Sequence, residues 1–216
     1  MKFMARIIVL ALGCAVAAGC AEGVGDPAVG HPADHQTEPG PTSSDTVPPD
    51  TEPDSPACVQ TIPSFGAFSQ EAYYYDDGTD RVWIYLAPDA DPEGGTFDVV
   101  GIEIWPSLGG PSTPGTYPFS DENYSTCSLC GLYQSGCVYD GTTTTCGKTY
   151  LITGGTLTLS QLGIVGGTFA GSASSLTGTE VTIDPDTYVS TPVTGSGKLC
   201  INSAALSASV YDYPTE

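Results

Sequence analysis

The sequence predicts an all-β domain, an antiparallel β-sandwich or barrel-like fold stapled by disulfides, and three observations carry that expectation. Apolar and polar residues alternate over short stretches of residues 58–216, the period of a strand with one buried face. Clusters of Gly, Asp, Asn and Pro interrupt these stretches at short intervals, as turns do in a sandwich or barrel. Six cysteines, Cys58, Cys127, Cys130, Cys137, Cys146 and Cys200, fall in the same region. No stretch has a helical period of useful length, so little or no α-helix is expected. The region is long enough for one domain with a real core and too short for two.

The first strands form the clearest hairpin. Tyr73, Tyr74 and Tyr75 precede the turn Asp76-Asp77-Gly78-Thr79-Asp80, and Arg81 to Leu86 follow it. Glycine there accepts positive φ, and the aspartates can bond the turn backbone. A strand over 97–105 would place Val100, Ile102 and Ile104 on one face, with Glu103 and Trp105 on the other. Further strands are expected over 124–132, 146–153, 156–162, 167–174, 180–183 and 198–213. Gly154 to Leu159 and Gly167 to Gly171 resemble a hairpin common in exported bacterial β-domains, many of them lipoproteins; the resemblance supports the fold and implies no activity.

Two segments precede the domain. Residues 1–19 read as a signal peptide, because Lys2 and Arg6 are followed by an apolar run over 7–18 that ends in small residues. That run is short for a spanning helix, which needs roughly 20 apolar residues. Its end, Ala17-Ala18-Gly19-Cys20, resembles the lipobox of Gram-negative lipoproteins, with Ala17 where Leu is commonest in that family. The resemblance implies cleavage before Cys20 and lipid on its thiol. Ala21, rather than the Asp that retains many such proteins in the inner membrane, implies the outer membrane. Residues 20–57 read as a disordered stalk: the stretch 21–57 holds eight prolines, eight acidic residues and no Lys or Arg. It cannot bury enough apolar surface to offset the entropy of ordering it. Extended, it would reach on the order of 100 Å. Both histidines, His31 and His35, lie there, and Pro32 between them argues against a helical metal pair.

An exported chain with six remaining cysteines is expected to hold three disulfides. Of the possible pairings, Cys137 with Cys146 is favoured, because they flank a turn at Tyr139-Asp140-Gly141-Thr142. Cys127-x2-Cys130 with Cys137 and Cys146 also has the spacing of a zinc site. An oxidising compartment argues against it, and nothing beside Ser128-Leu129 would lower a thiol pKa for redox work.

Composition excludes much chemistry. Residues 58–216 contain no histidine, which removes Ser-His-Asp and Cys-His hydrolysis and His-ligated metals. Arg81, Lys148 and Lys198 face 17 acidic residues, a net of about −14, so a nucleic-acid backbone would be repelled. A basic protein partner would be attracted. Glu103 and Glu180 are the candidate pair for a glycan hydrolase. No cofactor is required; calcium is the ion that the oxygen-rich loops Asp76-Asp77-Gly78-Thr79-Asp80 and Asp89-Ala90-Asp91-Pro92-Glu93 would suit as separate weak sites, but ordinary polar turns are the favoured reading of both. Asn123-Tyr124-Ser125 matches a glycosylation acceptor, expected to be unmodified in a bacterial chain.

If the hairpin is regular, Trp83 and Tyr85 share a face, with Tyr73 and Tyr75 beside them. Exposed aromatic rows stack sugar rings well; buried under another layer, the same rings would be core. The sequence thus predicts a lipid-anchored, non-catalytic envelope or cell-surface protein that presents a β domain to a ligand or partner, a glycan being the specific ligand the aromatic row would suit. A structural spacer is the alternative, and a glycan hydrolase the third reading.

Overall fold

The computed structural model describes residues 58–213. The signal segment, Cys20 and the stalk with its two histidines lie outside the described residues. Eleven strands and one 3-10 turn, Pro106–Leu108, follow in order: β1 (Cys58–Ile62), β2 (Glu71–Asp76), β3 (Arg81–Pro88), β4 (Thr96–Ile104), β5 (Gly115–Pro118), β6 (Leu129–Tyr139), β7 (Thr144–Thr145), β8 (Lys148–Leu162), β9 (Thr168–Ile183), β10 (Ser190–Pro192) and β11 (Lys198–Asp212). The all-β expectation holds, and the described residues contain no α-helix.

Of the two architectures expected, the fold is the barrel. β11, β2, β3, β4, β6, β8 and β9 are hydrogen-bonded in that order, and β9 pairs back onto β11, so the sheet closes on itself. Closure leaves no long open edge along which another chain could add a strand. The sheet is mixed, because β11 runs parallel to both β1 and β2, while the other pairings are antiparallel. The chain fills a ring position with two short strands in two places. β6 lies beside Lys148 to Leu151 of β8 and β5 beside Thr156 to Leu159; β1 and β2 share one edge of β11 in the same way.

Long strands must bend to close a ring, and the bends are where the sequence reads as broken. The stretches expected as separate strands over 146–153 and 156–162 are one strand, β8, and those over 167–174 and 180–183 are one strand, β9. The register slips between Ile152 and Gly154 and again between Gly154 and Thr156. Gly155 has φ 103°, and a Cβ there would stand 2.7 Å from Leu176 Cα and from Ser175 O. Opposite it Ser175 takes φ 52°. Bulges facing each other curve both strands together. The segment 124–132 is also corrected: Tyr124 sits in a turn where Asn123 O accepts from Thr126 N and Cys127 N at 2.9 Å, and the strand runs from Leu129 to Tyr139.

Two apolar layers result. Inside the barrel lie Trp83, Tyr85, Val100, Ile102, Ile104, Tyr133, Tyr150, Ile152, Phe169, Leu176, Leu199 and Ile201. Tyr85 and Phe169 stack at 5.2 Å with an interplanar angle of 19°. Outside, Val82, Ile84, Trp105, Tyr124, Leu132, Leu151 and Val181 form a second buried cluster. Asn123 ties the chain over it: its Nδ2 donates to Ser190 O at 2.8 Å, and its Oδ1 accepts from Ser190 N at 3.0 Å. The acceptor motif at Asn123 therefore has its amide engaged in holding two loops together.

Candidate functional site

The aromatic row expected on the β2–β3 hairpin divides between the two layers. Trp83 and Tyr85 point into the barrel, 4% and 0% exposed. Trp83 Nε1 donates to Gly163 O at 2.7 Å and Tyr85 Oη to Gln70 Oε1 at 2.8 Å. They are core residues and cannot stack a ligand, which corrects the expectation for both. Tyr73 and Tyr75 are not beside them. In the register fixed by Asp76 opposite Arg81, Tyr73 faces Ile84 and Tyr75 faces Val82. Directly opposed residues of an antiparallel pair share a face, so both tyrosines point outward, and it is Tyr74 that packs on Trp83, at 4.8 Å.

On the outer face Tyr73 and Tyr75 meet two tyrosines from the end of the chain. β11 runs parallel to β2 with Tyr211 opposite Tyr73, and Tyr213 N donates to Tyr74 O at 3.1 Å. The ring of Tyr73 lies 6.3 Å from Tyr211 and 6.5 Å from Tyr213, and that of Tyr75 lies 6.2 Å from Tyr213. The four rings make a two-by-two array across the seam that closes the barrel. Tyr211 is 55% exposed; Tyr73, Tyr75 and Tyr213 are half-buried against the outer cluster. Two exposed apolar residues, Ile164 and Val165, flank the same end of β11, where Gly166 N donates to Val210 O at 2.9 Å.

The array has an acidic rim. Tyr73 Oη donates to Glu71 Oε2 at 2.6 Å and Tyr75 Oη to Asp77 Oδ2 at 3.1 Å. Partial burial, then the bond to the Glu71 carboxylate, pushes the Tyr73 phenol well above its ordinary range. The Tyr73 and Tyr75 phenols are therefore donors already engaged, and the rings, tilted or edge-on to one another at 47° to 79°, offer a ligand only their solvent-facing sides. Tyr73 and Tyr75 are candidates in the sequence, though in another grouping; Tyr211 and Tyr213 are not, because only the pairing of β2 with β11 brings them beside the other two.

The other candidates are placed as follows. Glu103 and Glu180 do not form a catalytic pair. Glu103 shares the outer face with Leu132, is 2% exposed, and accepts from Tyr124 Oη at 2.6 Å and Trp105 Nε1 at 3.1 Å. Glu180 lies opposite Tyr150, on the inward side of β9, and pairs with Lys148 at 3.0 Å. Two carboxylates on opposite sides of a sheet cannot flank one glycosidic bond. The six cysteines form Cys58–Cys200, Cys127–Cys130 and Cys137–Cys146, the last as expected across the turn at Asp140. That pairing removes the four-thiolate zinc reading, and Cys127 and Cys130 are both 2% exposed. In the two acidic loops the carboxylates cap their own turns: Asp76 Oδ1 accepts from Gly78 N, Asp77 Oδ1 from Thr79 N and Asp80 N, Asp91 Oδ1 from Glu93 N. Among the described residues no three acidic, Cys or His side chains converge as a metal-binding group.

At the other end of β3 a cavity of about 290 Å³ is lined by Gln60, Ser64, Phe65, Asp89, Asp98 and Tyr133. Asp98 accepts from Tyr133 Oη and, at 2.9 Å, from Gly136 N. Asp89 Oδ1 accepts from Asp98 N at 2.7 Å. These bonds brace the mouth of the barrel. Comparison with protein-family models, with curated proteins and with solved structures finds no match for this chain.

Proposed function

We propose that this chain is a lipid-anchored protein of the bacterial envelope or cell surface, held to the outer membrane through Cys20, whose stalk carries a non-catalytic β-barrel that binds glycans. The observation that carries the binding reading is the outward array of Tyr73, Tyr75, Tyr211 and Tyr213. Aromatic rings offer flat apolar faces with a polar tip, the surface on which the C–H face of a sugar ring stacks. The sequence of residues 1–57 supports the address: a charged start, an apolar run, a lipobox-like end and a proline-rich acidic spacer. Metabolic labelling with a radioactive fatty acid tests the anchor, and Cys20→Ser should abolish the label.

Calorimetric titration of the full-length chain in detergent with a panel of oligosaccharides tests the binding. Heat of binding that Tyr211→Ala abolishes supports the reading. Silence across neutral, amine-bearing and acidic oligosaccharides retires it in favour of a structural spacer.

A further inference from the structure

We propose that the tyrosine array selects glycans by charge, and that its preferred ligand is an oligosaccharide of amino sugars with free amines; the inference rests on the glycan reading above. Glu71, Tyr73, Tyr75 and Asp77 alternate along one strand and its continuation, so the two carboxylates lie on the outward side with the rings, one beyond each end of the row. About 3.3 Å per residue puts them roughly 20 Å apart, a span for an oligosaccharide rather than a single sugar.

Glu71 accepts the Tyr73 phenolic proton and keeps lone pairs for an ammonium group, since a carboxylate has about four acceptor sites. Asp77 already accepts from Tyr75 Oη, Thr79 N and Asp80 N and offers mainly its charge. Among the described residues no cation lies on this face to balance them. Arg81 lies opposite Asp76, on the side of Tyr74 and Trp83. Lys148 is bound to Glu180 on β8 and β9, and Lys198 begins β11 at the end far from Tyr211. An acidic sugar laid on the rings would meet two uncompensated negative charges within an already acidic domain, whereas an amino sugar would find a counterion at each end.

The test uses one oligosaccharide in two forms, with free amines and fully N-acetylated, beside a uronic-acid oligomer, each titrated into the full-length chain at low salt. The free-amine form should bind about tenfold more tightly than the N-acetylated form, lose that advantage as salt is raised, and the uronic-acid oligomer should not bind. Glu71→Gln keeps an acceptor for Tyr73 and removes the charge. It should cost the free-amine form most of its advantage, read as the ratio of the two forms' affinities in the same variant. Equal binding of the amine and acidic oligomers, or an unchanged amine preference in Glu71→Gln, overturns the charge selection while the glycan reading stands. No binding of any form overturns both.

Discussion

Tyr73 and Tyr211 stand opposite each other on the parallel β2–β11 seam with ring centroids 6.3 Å apart, so the contact that closes the barrel is also the contact that builds its outer aromatic surface. Tyr211→Ala should therefore separate function from folding. A ring that is 55% exposed contributes about 0.5–1.5 kcal/mol through its aromatic neighbours. The variant should keep its fold by circular dichroism and lose at least tenfold in glycan affinity, about 1.4 kcal/mol. Unchanged affinity would remove the array from the binding site.

The interior responds differently. Phe169 is fully buried and stacked on Tyr85, so Phe169→Ala should destabilise the barrel by about 3–5 kcal/mol in denaturant unfolding. Tyr85→Phe removes only the hydroxyl that bonds Gln70 and should cost about 1 kcal/mol. A similar loss in both variants would contradict the stacked core.

Glu103 and Tyr124 give a second stability test. The Tyr124 hydroxyl donates to a carboxylate that is 2% exposed, at 2.6 Å. Tyr124→Phe should cost about 1–3 kcal/mol, the range for leaving a buried polar group without its partner. A double-mutant cycle with Glu103→Gln should show coupling of at least about 0.5 kcal/mol. Additive effects would place the two residues apart.

The disulfides should rank by the loop each closes. Cys58–Cys200 spans a sequence separation of 142, Cys137–Cys146 one of 9 and Cys127–Cys130 one of 3. Loop-closure entropy then gives about 5, 2.7 and 2 kcal/mol in that order. Paired Cys→Ala variants, each measured by its denaturant midpoint, should follow this order, and peptide mapping without reduction should recover the three named pairs.

Stability should fall at both ends of the pH scale. Backbone and hydroxyl donors of their own turns hold Asp77, Asp140 and Asp184 below the ordinary carboxylate range. Their contribution is present above the unfolded value of about 3.9 and is lost as pH falls through the lower folded value. Burial raises Tyr73, Tyr85 and Tyr133 above the ordinary phenol value. The stability linked to them is present below about pH 10 and lost as pH rises toward the folded value. Thermal melts across pH should show both declines, and Asp140→Asn should flatten the acidic one.

Local chemistry made much of this legible. The Asp76-Asp77-Gly78-Thr79-Asp80 turn and its flanking strands were read in place because the signal is contained in neighbouring residues, and the turn aspartates bond their own backbone as such residues do. Cys137 and Cys146 were pairable for the same reason, since one tight turn brings them together. The segments around Gly154 and Ser175 read as strand ends because glycine and a slip in alternation mark a bend and a break alike.

By itself the sequence determined the strand-rich character, the local hairpin and the number of cysteines available for crosslinks, all consequences of period-two patterning and short-range turns. Tertiary structure alone decided that β9 and β2 would both join β11, that Trp83 and Tyr85 turn inward, and that Glu103 and Glu180 fall on opposite sides. Alternation states which residues share a face of one strand. Which face becomes the interior depends on where the sheet bends and closes, and that is settled by contacts between distant parts of the chain such as Tyr73 with Tyr211.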